Sequence, residues 1–139
     1  MIKWMVGLGH REGVSREQLL EKWEHVHIPH GVGFAKPAAY RVTFFEPNVD
    51  VGFGDPGDDV DGLADLWFRD WDHFHNTYGD NASPEVGADG FNQYADLGKG
   101  FQLFTTETVA VEADTTREQS KLVFFVRRGA GIEQGDLFR

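Results

Sequence analysis

The sequence predicts an α+β domain of the ferredoxin-like kind, β-α-β-β-α-β, with an antiparallel sheet. Three observations predict it. Four short runs carry the alternation or β-branched enrichment of strands, and two other segments open on a capping side chain and continue at helical spacing. These elements also follow one another in the split β-α-β order. The chain has 139 residues, one domain's worth, and its 40% hydrophobic and 26% charged composition is that of a globular protein.

The first strand is Ile2 to Leu8, where Ile2, Trp4, Val6 and Leu8 share one alternating face. Gly9 to Val14 is a turn. Ser15 opens a helix, and Gln18 completes a capping box. Leu19, Leu20, Trp23 and His27 then fall on one helical face, until Pro29 and Gly31 end or bend the helix. Ala38 to Phe45 reads as the second strand, followed by an acidic loop from Pro47 to Asp61 and a third strand from Gly62 to Phe68. Asp70 caps a second helix that runs to about Tyr78. A polar loop over 80–90 and a helical turn within Gly90 to Leu97 precede the fourth strand, Phe101 to Val111. Such a sheet carries its helices on one face, so the other face needs a cover, most simply a second copy.

The tail resembles the opening, as a repeat or by chance similarity of two strand-plus-turn segments. Lys121 to Arg139 lies over Lys3 to Glu21 without gaps, with Lys121 on Lys3, Gly131 on Gly13 and Leu137 on Leu19. This divides the chain into a domain over 1–114, a linker over 115–120, and an extra strand or the start of a second repeat over 121–139.

Charge and composition exclude several function classes. A net charge of −10 repels phosphate backbones and anionic lipid, which argues against nucleic acid and membrane surfaces as partners. The absence of cysteine removes disulfides, thiolate metal sites and cysteine nucleophiles. No stretch approaches a membrane span and the N-terminus does not read as a signal peptide, so the expected location is the cytoplasm.

Five of the six histidines lie in two clusters, His25 to His30 and His73 to His75. On a helix, residues two apart diverge, so only His27 and His30 share a face with Trp23. His27 occupies the core-facing stripe, where an imidazole titrating near about 6.5 would sit beside an apolar cavity, as a general acid or base requires. The alternative is a histidine that hydrogen-bonds a carbonyl. Asp65, in the middle of an apolar strand, is a second candidate, either as a proton acceptor or as the residue that orients a histidine. An ion pair with Arg41 across the strands explains it equally well. Tyr40, Arg41 and Trp67 are candidates to line the same cavity. A metal would need His27 or His30, one of His73 and His75, and a carboxylate such as Asp65, although neither cluster matches a zinc signature. Gly52 to Gly57 satisfies G-x-G-x-x-G, but Asp55 and Pro56 make it a false match. Asp58 to Gly62 lacks the full spacing of a calcium loop.

Two segments resemble the EthD family of the dimeric α/β-barrel superfamily. Arg11 to Pro29, with Trp23, His27 and Pro29, is similar to that family's G-x-S-x-E-x-[FL]-x-x-[YW]-x-x-x-H-x-P. Asp61 to Phe68 (DGLADLWF) is similar to its D-G-[IV]-A-E-L-W-F strand. The resemblance covers about residues 1–112. It implies a ferredoxin-like protomer paired sheet to sheet, as a homodimer or, through the repeated tail, as a tandem pseudo-dimer. It further implies a small-molecule pocket between sheet and helices, with His27 matching the family's helical histidine and Asp65 replacing its strand glutamate. The expected function is cofactor-independent proton transfer on an aromatic or oxygenated organic molecule, by elimination, isomerisation or cyclisation, as a lyase or isomerase. His27 and Asp65 would be catalytic, and His30, Tyr40, Trp67, His73 and Trp23 would bind substrate. The alternatives are a non-catalytic binding protein and a histidine-ligated metal enzyme. Elemental mass spectrometry before and after chelation checks the expectation of no metal or cofactor: metal-free active protein is the expected result, and near-stoichiometric metal lost with chelator overturns it.

Overall fold

A computed structural model describes residues 1–46, 59–79 and 82–109, together with positions 116, 123, 130 and 131. The chain divides into two compact units, 1–109 and 110–139. The acidic loop before residue 59, the linker and the repeat-like tail fall almost wholly outside the described residues.

The first unit contains β1 (Ile2–His10), a helical arm, β2 (Ala39–Phe44), β3 (Gly62–Phe68), a further helix and β4 (Ala95–Thr105). The strands form one sheet in the order β2-β3-β1-β4, and all three pairings are antiparallel. This is the ferredoxin-like α+β arrangement. Alternation along the strands sorts the side chains onto two faces. Trp4, Val6 and Leu8 of β1 and Ala64, Leu66 and Phe68 of β3 join the core with Leu19, Trp23, Phe74 and Phe91. Lys3, Met5, Leu63, Asp65 and Trp67 take the intervening positions and therefore the opposite face. Gly62 opens β3 where the arm presses on the sheet: a Cβ there would lie 2.9 Å from the Trp23 ring and 3.0 Å from the Thr43 carbonyl oxygen.

The arm comprises α1 (Arg16–Lys22), a π-helical segment (Trp23–His27) and α2 (Ile28–Ala35). Ser15 caps it as expected, with its hydroxyl accepting from the Gln18 amide and Gln18 reaching back to the Ser15 amide. Of the two outcomes expected at Pro29 and Gly31, an end or a bend, the helix does not end there. Pro29 cannot donate to the carbonyl four residues back, and in a regular helix its ring would strike that carbonyl. The helix widens just before it, so that the Ile28 amide bonds Trp23 five residues back, and Pro29 enters the first turn of α2. The arm ends instead at Lys36, left-handed at φ 44°, and Pro37 follows.

The next helix, α3 (Trp71–Thr77), starts under Asp70, whose carboxylate accepts from the His73 amide at 2.7 Å. A 3₁₀ turn (Phe91–Gln93) leads into β4. The fourth strand differs from the sequence reading: it begins at Ala95, not Phe101, and ends at Thr105. Its register against β1 shifts between Gly7 and Gly9, and this irregularity lets residues 95–96 pair with Gly9 and His10. Among the described residues, no helix is long and apolar enough to cross a membrane.

Two substitutions test this packing by denaturant midpoint. Ser15→Ala removes the cap and is expected to cost about 1 kcal/mol. Gly62→Ala overpacks the Trp23 contact and is expected to cost about 1–3 kcal/mol. A Gly62→Ala protein as stable as wild type would contradict the close approach of arm and sheet.

Candidate functional site

The π-helical segment carries both Trp23 and His27. Trp23 is fully buried, its ring set against Phe44 and Phe91, and its indole N–H points to the Tyr40 hydroxyl at 3.5 Å. His27 lies flat on Phe91, with ring centroids 3.8 Å apart and planes 12° apart. Its Nδ1 is 2.7 Å from Asp89 Oδ2. The His27 side chain is 26% exposed and that of Asp89 only 3%. Asp89 uses its other oxygen to accept the Phe91 amide at 3.0 Å, the hydrogen bond of an Asx turn.

This geometry fixes the tautomer. An ionised Asp89 only accepts, so Nδ1 carries the proton and the Nε2 lone pair is left as the basic position. Burial lowers the His27 pKa below its ordinary value of 6.5, while the hydrogen bond and charge of Asp89 oppose that shift without cancelling it. For Asp89, burial pushes upward, but the Phe91 amide and then His27 outweigh it and hold the carboxyl below its ordinary value. At neutral pH the pair is therefore a neutral imidazole on a carboxylate, the resting form of a general base with a fixed orientation. Burial also raises the Tyr40 and Tyr78 hydroxyls, keeping both protonated.

The other candidates separate. Trp23 and Tyr40 sit with His27 on the helix side of the sheet. Asp65 does not: it is 1% exposed on the opposite face, with Lys3 Nζ at 3.4 Å, and so cannot orient His27. It stands in register with Arg41, and Lys3 lies within ion-pair distance of it. Trp67 shares that face, with Lys3 Nζ 4.6 Å and Arg41 Cζ 5.3 Å from its ring centroid. His30 donates through Nε2 to the Glu85 carbonyl at 2.8 Å. His73 bonds the Ala35 carbonyl through Nε2 at 2.8 Å and lines an open cleft of about 390 Å³ with Phe34, Lys36, Arg69 and Thr77. The two histidine clusters thus do not converge, and among the described residues no three metal-ligating side chains come together.

Asp89 is the residue the sequence reading missed. It lies 62 positions from His27, in a segment read as a polar loop. The local signal is Asp89-Gly90-Phe91, an Asx-turn sequence whose buried aromatic sets the carboxylate beside the arm.

The molecule is thus a ferredoxin-like α+β domain with a histidine–carboxylate pair above the helix-bearing face of its sheet. The chain belongs to the EthD family: the EthD domain model matches residues 11–98, which include His27, Asp65 and Asp89, and that family is consistent with the dimeric α/β-barrel superfamily. No curated protein matches the chain.

The depressed His27 pKa makes stability depend on pH. The unfolded imidazole takes up a proton near 6.5 and the folded one only at lower pH, so His27 disfavours the folded state as pH falls below 6.5 and has no such effect above it. Unfolding free energies at pH 7.5 and 5.5 should therefore fall less in His27→Gln than in wild type. An equal or larger fall in the variant would contradict the assigned environment.

Proposed function

We propose that this protein is a cofactor-independent enzyme that moves a proton on a small aromatic or oxygenated organic substrate, with isomerisation, dehydration or cyclisation as the outcome. The observation that carries this reading is the 2.7 Å contact of His27 Nδ1 with Asp89 Oδ2, which aims a neutral Nε2 away from the carboxylate. His27 Nε2 takes a proton from an acidic C–H or O–H of the substrate, and Asp89 stabilises the imidazolium that results. Return of that proton to another carbon completes an isomerisation. Its delivery to a departing hydroxyl releases water and completes a dehydration. Trp23 and Tyr40 shape the apolar side of the site, and the protonated hydroxyls of Tyr40 and Tyr78 are its neutral hydrogen-bond donors. The orienting role expected of Asp65 passes to Asp89.

Self-association belongs to the same reading, as a homodimer or a tandem pseudo-dimer. Its support is the EthD family match; on the sheet face opposite the helices Leu63 and Trp67 are already buried within the single chain, at 0% and 9% exposed. Sedimentation is expected to give a dimer, or a single chain whose second unit supplies the pairing surface. A monomer with that face fully solvated would contradict both forms.

The catalytic test is turnover on a panel of enolisable aromatic ketones and hydroxylated analogues, using wild type, His27→Gln and Asp89→Asn. Loss of a positioned base or its orienting carboxylate is expected to slow turnover about 10²–10⁴-fold in folded variants. Wild-type turnover in His27→Gln would end the assignment. Ligand affinity that changes with these substitutions, with no product from wild type, would replace catalysis by a binding role.

A further inference from the structure

Asp89 sits at the end of a strap formed by residues 82–90, which meets the helical arm at His30 and His27. The strap is built from successive turns: the Val86 amide bonds the Ser83 carbonyl at 3.0 Å, Ala88 bonds Glu85 at 3.1 Å, and Gly90 bonds Gly87 at 3.1 Å. Gly87 holds φ at +77°, a conformation that side chains disfavour, although a Cβ there would meet nothing within 4 Å. The strap is fastened at its start by the Ser83 amide on the Thr77 carbonyl and at its end by Asp89 on His27. Between these two points lies His30. Its Nε2–H reaches the Glu85 carbonyl at 2.8 Å, and the same oxygen closes the turn to Ala88. The turn that immediately precedes Asp89 is therefore anchored to the arm through a carbonyl with two donors.

We propose that His30 is a positioning residue for the His27–Asp89 pair: by holding the Glu85 carbonyl it fixes the turn that sets the Asp89 carboxylate against His27. This rests on that pair being the functional group. It also reassigns His30, whose Nε2 is committed to the protein backbone and not to substrate. Because His27 and His30 are three residues apart on one side of the arm, a single rigid element grips both the carboxylate and the turn that carries it.

The test reads the hydrogen bond of the pair directly, without a substrate. At one fixed neutral pH, the His27 Nδ1 proton should appear in the wild-type proton spectrum as a downfield, slowly exchanging imidazole resonance. His30→Ala is expected to speed its exchange about fivefold or more, the effect of losing one ordinary hydrogen bond on an opening equilibrium. His30→Gln, whose amide nitrogen replaces Nε2, should restore slow exchange. His30→Leu, which keeps the apolar contact with Phe34, should not. Gly87→Ala should act in the same direction as His30→Ala through the turn alone. Wild-type exchange in folded His30→Ala or His30→Leu overturns the proposal, and so does Gly87→Ala without effect. Failure of His30→Gln to restore the resonance, with restoration by His30→Leu, assigns His30 to packing and also overturns it. Asp89→Asn separates the two claims: if it leaves the resonance unchanged, the His27–Asp89 pair itself fails. If it removes the resonance while His30 variants behave as wild type, the pair stands and only the positioning role falls.

Discussion

Pro29 has no amide proton, and the arm that crosses the sheet is shaped by that fact. A regular helix through this position would lose a hydrogen bond and force the ring into a backbone carbonyl, at a cost of about 3 kcal/mol. The chain responds by widening one turn, Trp23–His27, and continuing to Ala35. The widened turn contains both the buried anchor of the arm, Trp23, and its most chemically apt residue, His27. π-helical turns are frequent at functional sites because they displace one side chain without ending the helix. Here the displaced stretch lets Trp23 fill the space left by Gly62 while His27 meets Phe91 and Asp89.

Asp65 and Asp89 show how environment decides role. Asp65 faces away from the helices and is balanced by Lys3, whose ammonium also bonds Glu107 and lies over Trp67. The Lys3–Asp65 contact ties β1 to β3 on this face of the sheet. Asp89 instead accepts one backbone amide and one imidazole, so its charge is spent on fixing a neutral base. Only the second arrangement leaves a lone pair available for proton transfer. Among the other histidines, His30 and His73 each bond a backbone carbonyl, while His10 Nδ1 lies 2.7 Å from Asp61 Oδ2.

The fold was legible because local signals agreed with the global order. Ser15 and Gln18, Asp70, and the alternation through Ile2–Leu8 and Gly62–Phe68 each place an element where it stands. The candidate site was half legible. His27 and Trp23 stand out by helical spacing, whereas Tyr40 was grouped with Arg41 and Trp67, which take the opposite face of the sheet. Asp89 did not, because its contact with His27 spans 62 residues and depends on an Asx turn with no periodicity to announce it. Asp65 misled for a physical reason: a carboxylate on an apolar strand looks functional until the face it occupies is known, and parity on a strand buried on both sides does not say which face meets the helices. Pro29 was expected to end or bend the arm; the chain widens the turn before it and continues to Ala35.

The central claim is that Asp89 holds His27 as a neutral base with its proton on Nδ1. The most direct measurement is a pH titration of the His27 ring nitrogens by ¹⁵N nuclear magnetic resonance in the wild-type protein. The account predicts the Nδ1-protonated neutral tautomer at pH 7 and a midpoint below the ordinary imidazole value of 6.5. A neutral ring protonated on Nε2, or a midpoint at or above 6.5, would contradict it.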